Sequence, residues 1–187
     1  DSEQWWKVGD IVSEIRVDTV KNRAGTSTIT TADITNAPAF LAKMSGNQDV
    51  TDESLTQVQF DTEVYDTDGK YDHSTNYRFT PTVAGTYFLY TQVDAISNAN
   101  TQLSDFFLIL KKNGVDLYTR RINFNANYVN RAALNIQVTD VANTTDYYEI
   151  FVYVNDTSGN PTLVALEPLG GGNGVASFFG AYKLIGL

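Results

Sequence analysis

The sequence predicts an all-β sandwich of the jelly-roll type, and three observations carry that reading. Apolar residues recur with a period of two along almost the whole chain. The apolar runs are short and are divided by turn-rich pieces such as YDTDGKYD (65–72), KKNGVD (111–116), NDTSGN (155–160) and LGGGNG (169–174). No segment sustains a 3.6-residue period, which excludes a helical bundle or a βαβ fold.

In chain order the first candidate strands are FLAKM (40–44), LTQVQFDTEV (55–64) and YRFT (77–80). The next, TYFLYTQVDA (86–95), places Tyr87, Leu89, Val93 and Ala95 on one face of an extended chain and Phe88 and Tyr90 on the other. FFLILKK (106–112) and VDLYTRRINF (115–124) follow, separated by an Asn-Gly turn. AALNIQVTD (132–140) sets Ala132, Leu134, Ile136 and Val138 against Ala133, Asn135, Gln137 and Thr139, the pattern of a half-solvated strand. YYEIFVYV (147–154), PTLVAL (161–166) and ASFFGAYKLIG (176–186) complete the set. Residues 1–37 read differently. They hold a small apolar set ahead of the polar run RAGTSTITTADITNAP, and we expect an extended arm or connector there and a β-knob over 38–187.

Composition narrows the function. A chain of 187 residues suits one domain with an arm, large enough to bury about 70% of its unfolded surface. It has no cysteine, so thiol catalysis and thiolate metal ligation are excluded. A net charge of −9 speaks against a nucleic-acid partner, because phosphate affinity needs clustered Lys and Arg. No apolar run approaches the roughly 20 residues of a membrane helix, so membrane insertion is not expected. The N-terminus DSEQWWKVGD lacks the pattern of a signal peptide and has no initiator Met, as expected of a processed or trimmed chain.

Four segments carry more apolar bulk than a half-buried strand needs: TYFLYT, FFLIL, YYEIFVYV and SFFGAYKL. A two-sheet sandwich buries one face of each sheet, so a strand that is apolar on both faces requires a second cover. With no helix to provide it, another subunit is the simplest cover. The expectation is an obligate oligomer with an interface drawn from Phe88, Tyr90, Phe151, Tyr153, Phe178 and Tyr182, or a subset of them.

The same residues carry a family resemblance. FTPTVAGTYFLYTQV resembles the F-x-(x)-P-x-x-G-x-Y segment of the C1q and tumour necrosis factor superfamily, and SFFGAYKL resembles its last strand. LILKKNGV and QFDTEVYDTDGKYD resemble its middle strand and its earlier aromatic and Tyr-Asp segment, so the likeness spans 38–187 in order. It implies a ten-stranded jelly roll assembled as a homotrimer, with Tyr90 and Phe178 near the threefold axis. The chain departs from the family pattern at Asn76, where Gly is usual, and at Leu89, where Phe is usual; it also contains no Gly-X-Y run. These departures bear on complement-like function and leave the fold expectation intact. A second resemblance, of VGDIVSEIRVDTVKNRAGT, is to bacteriophage fibre and head-appendage proteins with C1q-like tips, and it covers about 8–35.

Motifs for chemistry are sparse. His73, the one histidine, sits in the polar stretch KYDHSTNY and reads as a solvated loop residue, not the base of a triad. Gly170–Gly174 (GGGNG) is followed by no Lys-Ser or Lys-Thr, so it reads as a loop before the last strand and not as a phosphate cradle. Asp66, Asp68 and Asp72 resemble half of a calcium loop without its terminal Glu; an Asp-Gly turn is the plainer reading, and calcium is the one cofactor kept as a candidate. Asn143-Thr144-Thr145 and Asn155-Asp156-Thr157 match glycosylation acceptors, which in a phage protein would be chance. The adjacent Trp5 and Trp6 are expected to anchor the arm, either on a partner or on the trimer itself.

The sequence therefore points to a non-enzymatic virion protein: a trimeric knob of a phage fibre or capsid appendage on the outer surface, docked through its arm on other virion proteins. A host-surface glycan or protein is the expected receptor. Capsid decoration without a receptor role and a secreted C1q-like adhesion module are the alternatives. No pair of carboxylates can be set across a cleft as acid and base, which argues against a glycan-degrading enzyme.

Overall fold

Strand β9 (Gly85–Ile96) organises the larger of two compact units, which span Asp1–Asn36 and Ala37–Leu187. The computed structural model describes residues 19–21, 28–30, 38–169 and 172–184, and among these there is no helix. In the first unit β1 (Thr19–Lys21) pairs antiparallel with β2 (Thr28–Thr30), Val20 opposite Ile29. Trp5 and Trp6, the expected arm anchor, lie outside the described residues.

In the second unit β3 (Ala39–Lys43), β4 (Gln48–Asp49), β5 (Thr56–Gln57), β6 (Thr62–Asp66), β7 (Tyr71–Asp72) and β8 (Arg78–Phe79) precede β9. They are followed by β10 (Leu103–Lys112), β11 (Val115–Asn123), β12 (Arg131–Ala142), β13 (Tyr148–Asp156), β14 (Thr162–Leu163), β15 (Leu166–Leu169), β16 (Gly172–Val175) and β17 (Phe178–Lys183). Two large antiparallel sheets result, with β15 and β16 forming a separate two-stranded ladder. One runs β4-β14-β9-β17-β3-β6 with β12 along the other edge of β9; the second runs β11-β10-β13-β8-β7 with β5 added to β13.

The period-two pattern explains why these strands pack as they do. Tyr87, Leu89, Val93 and Ala95 of β9 are fully buried, as are Phe106 and Leu108 of β10 and Tyr148, Ile150, Val152 and Val154 of β13. Between the sheets Phe40 stacks on Phe79 and Tyr71 with ring centroids 4.6 and 4.7 Å apart, and Phe179 meets Phe40 edge-on at 5.0 Å. Such aromatic pairs add to the area they bury. Tyr87 keeps its phenol satisfied by donating to the carbonyl of Val83 at 2.7 Å.

One local expectation is corrected. The stretch GGGNG, read as a loop, contributes Gly172, Asn173 and Gly174 to strand β16, with Glu167 opposite Gly174 and Pro168 opposite Asn173. Ladder pairing with β15 overrides the poor strand propensity of glycine.

The ring cluster around Phe179 gives a direct stability test. Phe179→Ala should lower the unfolding free energy by about 3–5 kcal/mol in urea melts, because the emptied site is walled by rings that cannot collapse into it.

Candidate functional site

The outer face of the β9 sheet is the candidate site. Register fixes it: Tyr182 lies opposite Phe88, Gly180 opposite Tyr90 and Phe178 opposite Gln92, and residues opposite each other project to the same side. On the far edge Thr139 and Gln137 of β12 face Phe88 and Tyr90. The four rings form one continuous cluster, with centroid separations of 5.3 Å for Phe88–Tyr182, 5.9 Å for Phe88–Tyr90, 6.2 Å for Tyr90–Phe178 and 6.3 Å for Tyr90–Tyr182.

Two backbone features shape the cluster. A bulge between Leu41 and Ala42 in the β3–β6 pairing lets consecutive residues Val64 and Tyr65 both reach this face. Tyr65 shares a 3.4 Å hydrogen bond with the phenol of Tyr90, and Val64 joins Leu41, Lys43, Tyr90, Val175 and Phe178 around an apolar hollow of about 300 Å³. The second feature is Gly180. A Cβ there would lie 2.4 Å from Cζ of Tyr90 and 2.9 Å from the carbonyl oxygen of Phe40, so only glycine lets the Tyr90 ring lie flat on the strand. Burial, and then the hydrogen bond with Tyr65, pushes the Tyr90 phenol above its ordinary pKa, so it stays neutral.

The face is apolar and incompletely covered. Val64 is 53% exposed, Tyr182 42% and Val175 41%. At one end it turns polar, where Arg131 donates two charge-assisted bonds to Asp94 at 2.6 and 2.9 Å. An apolar centre with a polar margin is the anatomy of a protein interface.

No protein-family model matches the chain, and no curated protein matches it. Solved structures do. Murine APRIL aligns with a TM-score of 0.55 at 14% identity over 80% of this chain and 100% of that one. The globular domain of zebrafish complement 1qA aligns at 0.52 and 15% identity, over 79% and 97%. Eiger TNF from S. frugiperda aligns at 0.50 and 14% identity, over 79% and 91%. The chain has the tumour necrosis factor and C1q fold. Similarity at this level establishes that fold and its two antiparallel sheets, as expected from the quoted motifs.

Within this fold the six expected interface residues divide. Phe88, Tyr90, Phe178 and Tyr182 meet on the β9 sheet, whereas Phe151 and Tyr153 lie on the outward side of β13 in the second sheet, with Phe151 opposite Ile109 and Tyr153 opposite Phe107. These two outward faces belong to opposite sides of the sandwich. The expected set therefore falls into two separate patches, one of four residues and one of two. Leu41, Val64, Tyr65, Val175 and Gly180 were missed. The Val64-Tyr65 pair was the available signal, since two adjacent bulky residues in a half-buried strand mark a bulge.

The three candidate calcium ligands have other work. Asp66 accepts four backbone N–H bonds, from Asp68, Gly69, Lys70 and Tyr71, at 2.6–3.1 Å. Asp68 accepts from the Thr82 hydroxyl, and Asp72 accepts from the backbone of Ser74, Thr75 and Asn76 and from the Asn76 amide. They hold loops in shape, and among the described residues no group of three acidic or histidine side chains is placed for a metal ion. His73 pairs on the surface with Glu63 at 2.8 Å.

Two measurements follow. Gly180→Ala should displace Tyr90 and cost on the order of 1–3 kcal/mol in equilibrium unfolding, with a changed near-UV tyrosine signal. For Asp72, burial raises the pKa, but the bonds from Thr75, Asn76 and Ser74 outweigh it and bring it from 3.8 down to about 2. A depressed carboxylate stabilises the fold above the ordinary value and stops doing so as pH falls through the folded one. Asp72→Asn should melt below the parent at pH 7, and the difference should shrink as pH drops from about 4 towards 2.

Proposed function

We propose that the chain is a non-enzymatic binding module that works as a homotrimer, its subunits joined through the outer face of the β9 sheet. The observation that carries this reading is the half-exposed cluster of Phe88, Tyr90, Phe178 and Tyr182 beside a 300 Å³ apolar hollow. Faces of this kind are rare on monomers and costly to leave in water. A ring of subunits closes on itself and leaves no unsatisfied patch, whereas an unclosed heterologous contact would polymerise. The fold fits such a module, and the family resemblance adds the ten-stranded trimer with Tyr90 and Phe178 near its axis.

The setting we propose is the outer surface of a virion, as the knob of a phage fibre or capsid appendage that binds the host. The resemblance of residues 8–35 to phage appendage proteins supports this, with the arm as the element that docks on the particle. The proposal needs no cofactor and no catalytic group.

Light scattering on the whole chain should give the mass of three subunits, and Tyr90→Asp, which sets a charge among the rings, should give one. A folded wild-type monomer would overturn the trimer. Fluorescently labelled trimer should be retained by host cells; a trimer that binds particles and no cells would assign it to capsid decoration instead.

A further inference from the structure

We propose that the outward face of the second sheet is a binding site for an uncharged oligosaccharide. This deepens the surface-binding reading by naming the chemistry of its ligand, and it rests on that reading only for an external ligand being expected at all.

The site is a trough of about 460 Å³ over β10, β11 and β13, lined in part by Leu55, Asp105, Phe107, Asp116, Arg121 and Tyr153. Its floor is aromatic: Tyr153 meets Phe107 edge-on with centroids 5.5 Å apart and planes at 89°. The guanidinium of Arg121 lies over the Phe107 ring, 4.7 Å from its centroid, and the partly buried Tyr153 stands beside it without a cation over its ring among the described residues. Leu55, 51% exposed, stands beside the floor. The rim is built from hydrogen-bonding groups. Arg121 donates from Nε to Asp105 Oδ1 at 3.0 Å and from Nη2 to the other oxygen, and Lys111 holds Asp116 at 2.6 Å.

This combination suits a pyranose. One side of the sugar is a sheet of C–H groups that packs on an aromatic ring, and its edge is a row of hydroxyls that both donate and accept. The two carboxylates retain lone pairs for hydroxyl donors, and Arg121 uses two of its five N–H groups on Asp105, leaving donors for hydroxyl oxygens. Both acids are already fixed by their partners, so little side-chain entropy is lost on binding.

Other occupants fit less well. Arg121, the cation lining the trough, is already neutralised by Asp105 and the chain carries −9, which disfavours polyanions, nucleic acid included. A peptide strand would add at the outer edge of β11, away from the ring floor, which lies on β10 and β13 inside the sheet. A second copy of the chain is better served by the opposite side of the sandwich, where four rings form one continuous cluster.

The test is an array of uncharged and sialylated oligosaccharides of two to six sugars, probed with the whole chain, followed by calorimetric titration of the best binders. Wild type should bind one or more uncharged glycans. Tyr153→Ala and Arg121→Gln should each weaken that binding by about tenfold or more with the trimer mass and melting temperature unchanged. Tyr90→Asp should leave the affinity per chain unaltered, because the trough lies within one subunit; the trimer can thus fail while this site stands. The proposal is overturned if no uncharged glycan binds, if both trough variants bind like wild type, or if binding is confined to sialylated glycans.

Discussion

Strand β9 is the constraint on which the rest depends. It is hydrogen-bonded along its whole length to β12, and along its other edge to β17 and then β14, so it occupies the middle of its sheet. A central strand that is bulky on both faces cannot be satisfied by one partner layer. Its inner side chains define the core against β10 and β13, and its outer ones, Phe88 and Tyr90, lay an apolar face on the far side of that sheet. The aromatic face is thus a consequence of where β9 sits, and β17 reinforces it by placing Phe178 and Tyr182 in register.

The two outward faces are chemically unlike each other. On the β9 sheet the rings touch one another, the tyrosine phenols bond to each other, and the margin is sealed by one bidentate Arg131–Asp94 pair. On the second sheet the rings are capped by cations, Arg121 over Phe107 and Lys111 over Phe151, and acids interrupt the apolar area. The first arrangement rewards complete removal of water. The second keeps aromatic carbon and charge side by side at a wet surface, which suits a ligand that is itself part apolar and part hydroxyl.

Much of the fold was legible because burial follows alternation. Tyr87 and Leu89, Ile150 and Val152, and Phe179 and Ala181 were assignable to the core from period two alone, and each is buried. Alternation reports which side of its own strand a residue occupies, and it is silent on which sheet that strand joins. Phe151 and Tyr153 therefore looked identical to Phe88 and Tyr90 until pairing partners were known. The aspartates of 66–72 were ambiguous for a related reason: a carboxylate that ligates a cation and one that collects backbone N–H groups have the same spacing, and only the turn of the main chain separates them. Gly180 was visible as part of the aromatic-Gly motif, but its role as a shelf for Tyr90 needed the distance between strands.

The placement of β17 also orders events in time. It lies between β3, the first strand of the larger unit, and β9, and it provides both the floor beneath Tyr90 and two of the four rings. While a ribosome still holds residues 178–183, β3 and β9 have no bridge and the aromatic face does not exist. Long-range closure of this kind is slow. A nascent chain consequently presents no finished aromatic face until β17 has left the ribosome.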